Sequence, residues 1–405
     1  PALVVGSVAI DPDNGYIRAM VGGKDWSSNK VNVATGSGGG GRPAGSTFKT
    51  YTLVAAIEAG IDPETTYVDC SSTAELPGWN VHNFGYTNYG TRTIARAFAV
   101  SSNTGFARIA MSLGPEKIVE TAHRMGIESD LVAEGGLTLG ADSSPVTPLE
   151  MADAYATIAN GGTHYEATPI VKVIDSDGNT LIDNTTPEGE RVLSPEVAHA
   201  ATEVMKRVVN TSEGTGRNAV LSSGQPVAGK TGTQENYMDI WFCGITPQLS
   251  VASWIGDPNN QVAVGNAGMD DFFHNFMEVA LAGQPVEQFP EAGDPEYKDY
   301  KDDKYKINAG PSEEELAAAA AAAEAQRRAE AEAEDDAEDE PAAGDGSDTG
   351  DTGGTGGTGG GDTGQTPGGT TPGGGTGDGG GGDPSGGTGG AGGGGGTGGG
   401  TTPEA

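Results

Sequence analysis

Residues 342–405 of this chain are dominated by glycine, threonine, aspartate and proline, and no hydrophobic core can be built from them. The packed part of the molecule is therefore expected to end well before the C-terminus. Apolar residues recur with helix and strand periods only up to Pro285, which sets a single domain over 1–285. An acidic linker over 286–311 and an Ala/Glu-rich spacer over 312–341 then lead into the tail. The spacer has high helix propensity but no packing face, so it is expected to be partly helical. Of the net charge of −35, −20 falls after Pro285. Such a balance excludes a nucleic-acid binder, because nothing here neutralises a row of phosphates.

Within 1–285 the chain opens in β-favouring runs at 2–10 and 16–22, separated by Asp11-Pro12-Asp13-Asn14-Gly15, which predicts a hairpin. A glycine-rich loop at 34–45 leads into an apolar stripe of Phe48, Leu53 and Ile57, which predicts a helix closed near Gly60. The stretch after Gly60, including Trp79-Asn80-Val81-His82-Asn83, reads as irregular, and helical patterns return near Thr93. Thr147, Pro148 and Glu150 form a capping box for a helix stopped by Asn160-Gly161-Gly162. Strands around Asp175–Gly178, a helix from Ser194-Pro195, and three close β-like runs at 226–234, 238–246 and 248–256 follow. A last helix is expected at about 271–282.

Three short strings carry the chemistry. Ser46 and Lys49 stand three apart at a helix start, so a hydroxyl and an amine share one face. Serine needs an adjacent base, and lysine is one only where its surroundings keep it partly neutral. Ser101-Ser102-Asn103 is an S-x-N at a break between helical segments, and Lys230-Thr231-Gly232-Thr233 is a K-T-G on a predicted strand. Each alone is weak; the three in this order over about 190 residues are specific. Ser101 can relay a proton, Asn103 can hold a substrate amide, and Lys230 with Thr231 and Thr233 offers a cation and hydroxyls to a carboxylate. Backbone N–H groups of Ser46 and Thr233 are candidates for an oxyanion hole.

This set resembles the penicillin-binding proteins, serine D,D-transpeptidases that cross-link bacterial peptidoglycan, and is most similar to the transpeptidase domain of bifunctional class A members. The likeness covers roughly residues 3–282 and extends to Ala44–Lys49, Ser101–Thr104, Thr147–Ala152 and Asp239–Pro247. It implies an α+β fold of the β-lactamase/D,D-peptidase type, in which the first hairpin and three late strands make a five-stranded antiparallel sheet flanked by helices, with a mainly helical subdomain. It implies attack by Ser46 on a stem peptide ending in D-Ala-D-Ala, and acylation of the same serine by β-lactams. It further implies an extracytoplasmic location, a parent chain anchored by an N-terminal membrane helix beside a glycosyltransferase domain, and cell-division or elongation proteins as candidate partners. The glycine run 38–41 before Arg42 departs from the family pattern. With no starting methionine or signal peptide, the chain reads as an excised or processed piece of something longer.

Other readings stay open at this point. A hydrolase of the same fold, either a β-lactamase or a D,D-carboxypeptidase, would need a second base; Glu134 is the candidate, although Thr138 stands where a class A β-lactamase has Asn. A non-catalytic β-lactam-binding module would need acylation alone. Gly224–Thr231 also fits the phosphate-loop pattern, which works only between a strand and a helix. Cys70 and Cys243 are either two free thiols or one disulfide, and histidines 82, 123, 164, 199 and 274 lack ligand spacing. Neither a metal nor a cofactor is expected.

Overall fold

The computed structural model describes residues 3–309 except 26, 28, 29, 235, 236 and 266, so the expected spacer at 312–341 and tail at 342–405 lie outside the described residues. The main sheet uses five strands, β1 (Val4–Ile10), β2 (Ile17–Val21), β3 (Ala228–Thr233), β4 (Asp239–Ile245) and β5 (Ser250–Gly256). Their order is β3-β4-β5-β1-β2, and every neighbouring pair is antiparallel. The first hairpin and the three late runs thus assemble as expected.

The sheet is buried on both faces, and the period of two decides what each face meets. Along β4, Trp241, Cys243 and Ile245 enter the large core, whereas Ile240 and Phe242 enter a smaller one with Phe273 and Met277. The large core is completed by α1 (Lys49–Glu58), α2 (Ile94–Ala99), α3 (Asn103–Leu113), α4 (Pro115–Met125), α5 (Pro148–Ala159) and α6 (Pro195–Asn210). The smaller face is covered by α7 (Met269–Ala280). The capping box of α5 is formed: the Glu150 amide donates to Thr147 Oγ1 at 3.2 Å, and the Thr147 amide donates to Glu150 Oε2 at 2.8 Å.

Arg42 ties the end of the glycine-rich loop to the sheet. Its guanidinium donates to Asp239 Oδ1 at 3.0 Å and to the carbonyls of Asp257 and Pro258, and it lies over the Trp254 ring at 5.1 Å. Asp239 also accepts from the Trp254 indole at 2.8 Å, so this buried carboxylate is both charge-paired and hydrogen-bonded.

Two expectations need correction. The stretch after Gly60 is ordered into short strands: Thr73–Leu76 pairs with Trp79–His82, and Thr66–Asp69 is flanked by Thr91–Thr93 and Ile307–Ala309. Strands of three or four residues carry too little alternation to read from sequence. The pairing with Ile307–Ala309 also shows that the described part, 286–309, of the acidic segment expected as a linker over 286–311 lies along the domain. Phe289, Tyr305 and Ile307 are buried there, and Lys306 and Arg108 both reach Asp69, at 2.9 and 3.0 Å. Desolvation raises the Asp69 carboxyl, but the hydrogen bonds from Ser71 and Lys306 and the charge of Arg108 bring it down to about 2. The two cysteines are free and buried.

Candidate functional site

Ser46 lies in a 3-10 turn, Gly45–Phe48, rather than in the α-helix that begins at Lys49. In a 3-10 turn residues three apart eclipse one another, which sets Lys49 Nζ 2.9 Å from Ser46 Oγ. Gly45 makes the turn possible, since its φ of +57° is costly for other residues. Gly232 of β3 serves a different need: a Cβ there would meet the Ala44 carbonyl at 2.7 Å and Thr47 Cγ2 at 2.9 Å. The strand carrying the K-T-G string can therefore lie directly against the serine turn, with the Thr233 amide nitrogen 3.3 Å from where a Gly45 Cβ would be.

The middle string sits between α2 and α3. Ser102 caps α3 by accepting from the Gly105 amide at 3.1 Å, and Ser101, just before it, is held at a left-handed φ of 58°. That conformation is strained for serine, by about 1 kcal/mol or more. It brings Ser101 Oγ within 3.2 Å of Lys49 Nζ and 2.9 Å of Lys230 Nζ, so one hydroxyl bridges two amines. Lys49 Nζ also lies 2.7 Å from the Ser101 carbonyl and 2.7 Å from Asn103 Oδ1. Asn103 spends one N–H on the His82 carbonyl at 3.0 Å, leaving the other for a ligand.

Both lysines are fully buried, and the oxygens around them are neutral. Burial without a carboxylate partner penalises the ammonium form. Desolvation, then the neighbouring Lys230, push Lys49 well below the ordinary lysine value, and desolvation brings Lys230 down to about 7. An amine kept neutral in this way can take a proton from a hydroxyl at hydrogen-bond distance.

All eight residues singled out from the sequence, Ser46, Lys49, Ser101, Asn103, Lys230, Thr231, Gly232 and Thr233, converge here. Ser46, Ser101, Asn103, Thr231 and Thr233 line a cavity of about 490 Å³. Lys230 and Thr231 lie inside β3, which runs on to Thr233, so a strand stands where a phosphate loop requires the start of a helix. Glu134 is not among the lining residues; its carboxylate is exposed and accepts from the Ser143 hydroxyl.

Sequence reasoning missed several neighbours. Thr215, whose hydroxyl meets that of Thr231 at 2.6 Å, lines the cavity, as do Asn218 and Asp270. Phe84 and Tyr237 approach edge to face at 5.7 Å on its rim. Asn83, fully buried, accepts from Ser102 Oγ and the Thr104 amide and donates to the carbonyls of Cys70, Ser71 and Thr87, thereby fixing the start of α3. Asn83 stood in view beside Trp79 and His82, but only its tertiary partners mark it out. Among the described residues no group of histidine, cysteine and acidic side chains could hold a metal.

Comparison with known proteins agrees with this geometry. The penicillin binding protein transpeptidase domain family matches residues 5–278. Penicillin-binding protein 1A of Mycolicibacterium smegmatis is 33% identical over 72% of this chain and 39% of its own length. Penicillin-binding protein 2D of Bacillus subtilis is 31% identical over 70% of this chain and 42% of its own. The chain thus spans about two fifths of the curated relatives it matches. Among solved structures, PonA1 of Mycobacterium tuberculosis in complex with penicillin V superposes with a TM-score of 0.65 at 30% identity, over 74% of this chain and 83% of that one. The D,D-transpeptidase domain of a peptidoglycan glycosyltransferase from Eggerthella lenta gives 0.59 at 28% identity, over 70% and 79%. With its serine turn, its paired buried lysines and its sheet all in place, the chain belongs to the penicillin-binding protein transpeptidase domain family.

Proposed function

We infer that this chain is a serine D,D-transpeptidase that cross-links peptidoglycan stem peptides through an acyl-enzyme at Ser46. The observation that carries the reading is a fully buried Lys49 amine 2.9 Å from Ser46 Oγ, with no carboxylate to hold it charged. In the first half-reaction Lys49 takes the Ser46 proton as Oγ attacks the carbonyl of the penultimate D-Ala. Ser101, in reach of Lys49, passes the proton to the departing amine, and the terminal D-Ala leaves. Lys230, Thr231 and Thr233 receive the carboxylate of that residue, Asn103 holds a substrate amide, and Gly232 lets their strand approach. The amides of Ser46 and Thr233 face the oxyanion, where loss of one donor costs about 10²–10³ in rate. An amine of a second stem peptide then attacks the ester.

β-Lactams acylate the same serine in this reading, as the penicillin V complex of the mycobacterial relative suggests. Hydrolysis of that ester needs a base that orders a water, and Glu134, which accepts from Ser143 and is not among the residues lining the cavity, speaks against one. The site would work outside the cytoplasm, with the parent chain anchored in the membrane. Among the described residues no helix is long and apolar enough to cross a membrane.

Intact-mass analysis after incubation with benzylpenicillin tests the proposal. The expected result is a stable single adduct lasting minutes to hours, absent in Ser46→Ala. Rapid return to the unmodified mass, abolished by Glu134→Gln, would make the protein a hydrolase.

A further inference from the structure

A second cavity, of about 650 Å³, adjoins the one at Ser46, and Thr215, Asn218 and Asp270 line both. Its walls also carry Arg217, on the short turn Arg217–Ala219 after the Thr211–Gly216 loop. That loop is pinned from outside: Glu213 binds Arg96 at 2.8 Å and also Arg92, whose Nε donates to the carbonyl of Tyr89, another lining residue of the first cavity. Glu213 is thereby committed to two other arginines. Arg217 is exposed and makes no ion pair or side-chain hydrogen bond among the described residues. Asp270, the acid among the residues lining this cavity, accepts from the Asn218 amide at 3.2 Å.

We propose that this second cavity holds the acceptor strand of the transpeptidation, and that Arg217 binds a carboxylate of that strand. The inference rests on the transpeptidase reading and adds where the second substrate lies. Its basis is the symmetry of the two half-reactions. The acceptor amine must enter along the path by which the D-Ala amine left. Its nitrogen attacks the acyl carbon, a C–N bond forms as the bond from carbon to Ser46 Oγ breaks, and the amine proton passes through Ser101 and Lys49 back to Oγ. The acceptor's amine-bearing carbon then takes the place of the leaving residue, beside Lys230 and Thr231. The rest of the acceptor has to continue past Thr231, and what stands there is Thr215, 2.6 Å from it, and then the second cavity. An unpaired guanidinium in that position suits a carboxylate, with which it can form two parallel hydrogen bonds.

The test uses the full chain with a benzoyl-D-alanyl thioglycolate thioester as donor and two acceptors of equal length, D-2-aminoadipate and D-norleucine. Both offer an α-amine and an α-carboxylate; only the first has a distal carboxylate. The parent should show a KM about fivefold lower for D-2-aminoadipate at similar kcat, the size of an exposed ion pair. Arg217→Ala should erase that preference and Arg217→Lys should keep part of it. Acylation by the thioester, read in the same samples, reports the Ser46 machinery separately. A preference that survives in Arg217→Ala, or an equal loss for both acceptors, overturns the proposal alone. No acylation of the parent overturns the transpeptidase reading and this inference with it.

Discussion

Lys230 stands buried with its ammonium brought down to about 7, so the folded state gives up stability to keep it. Lys230→Met should therefore stabilise the domain while it weakens carboxylate recognition. Holding a lysine at about 7 rather than its ordinary 10.5 costs on the order of 5 kcal/mol below pH 7. Methionine removes that cost and forfeits two hydrogen bonds, to Ser101 Oγ and the Thr231 carbonyl, worth about 1 kcal/mol each. The net gain of about 3 kcal/mol at pH 6 corresponds to a rise in Tm of about 5 °C for a domain of this size. Its pH dependence identifies the cause. Between pH 7 and 10.5 the unfolded chain binds a proton at this lysine that the folded chain does not, so the parent gains stability as pH rises through that window. The variant lacks the group and gains nothing. The difference in Tm should shrink from pH 6 upward and reach zero or slightly below near pH 9.5. Calorimetry at both pH values decides; a variant less stable at pH 6, or a gain that does not change with pH, refutes the reasoning.

Lys49→Ala should lower the acylation rate by about 10²–10⁴, measured with a fluorescent penicillin, because the general base is gone. Lys230 helps to keep Lys49 neutral, so in Lys230→Met the rising limb of acylation against pH should move to higher pH; an unmoved limb would show that the two amines are not coupled. Arg42→Ala should cost about 3–5 kcal/mol in denaturant unfolding, because it leaves the buried Asp239 carboxylate without its cation, and Asp239→Asn in the same background should recover part of the loss. Removal of residues 312–405 should leave the Tm within about 2 °C and acylation unchanged, since the Ala/Glu-rich spacer has no packing face and the Gly/Thr-rich tail cannot build a core.

The parts legible in the sequence share one property, which is that their physical cause is local. The Asn14-Gly15 turn, the Thr147–Glu150 cap, and the three close β-like runs between 226 and 256 each follow from residues a few positions apart, and each is found where its pattern predicts. Ser46 and Lys49 were legible for the same reason, because a hydroxyl three positions before an amine meets it within one turn, whereas the S-x-N and K-T-G strings gained meaning only from their order along the chain. What went unread depends on residues distant in the chain. Strand Thr66–Asp69 is completed by Ile307–Ala309, Asp239 is neutralised by Arg42, and Thr215 meets Thr231 through a loop fixed by Arg92 and Arg96. The left-handed backbone of Ser101 belongs to this second group. Nothing in Ser-Ser-Asn asks for it; the cap at Ser102 and the hold of Asn83 on that hydroxyl impose it. The groups expected to touch substrate thus advertise themselves by residue type and spacing. The groups that aim them do so by contacts the fold alone creates, and a variant of Asn83 should accordingly disturb the Ser101 hydroxyl without touching any ligand.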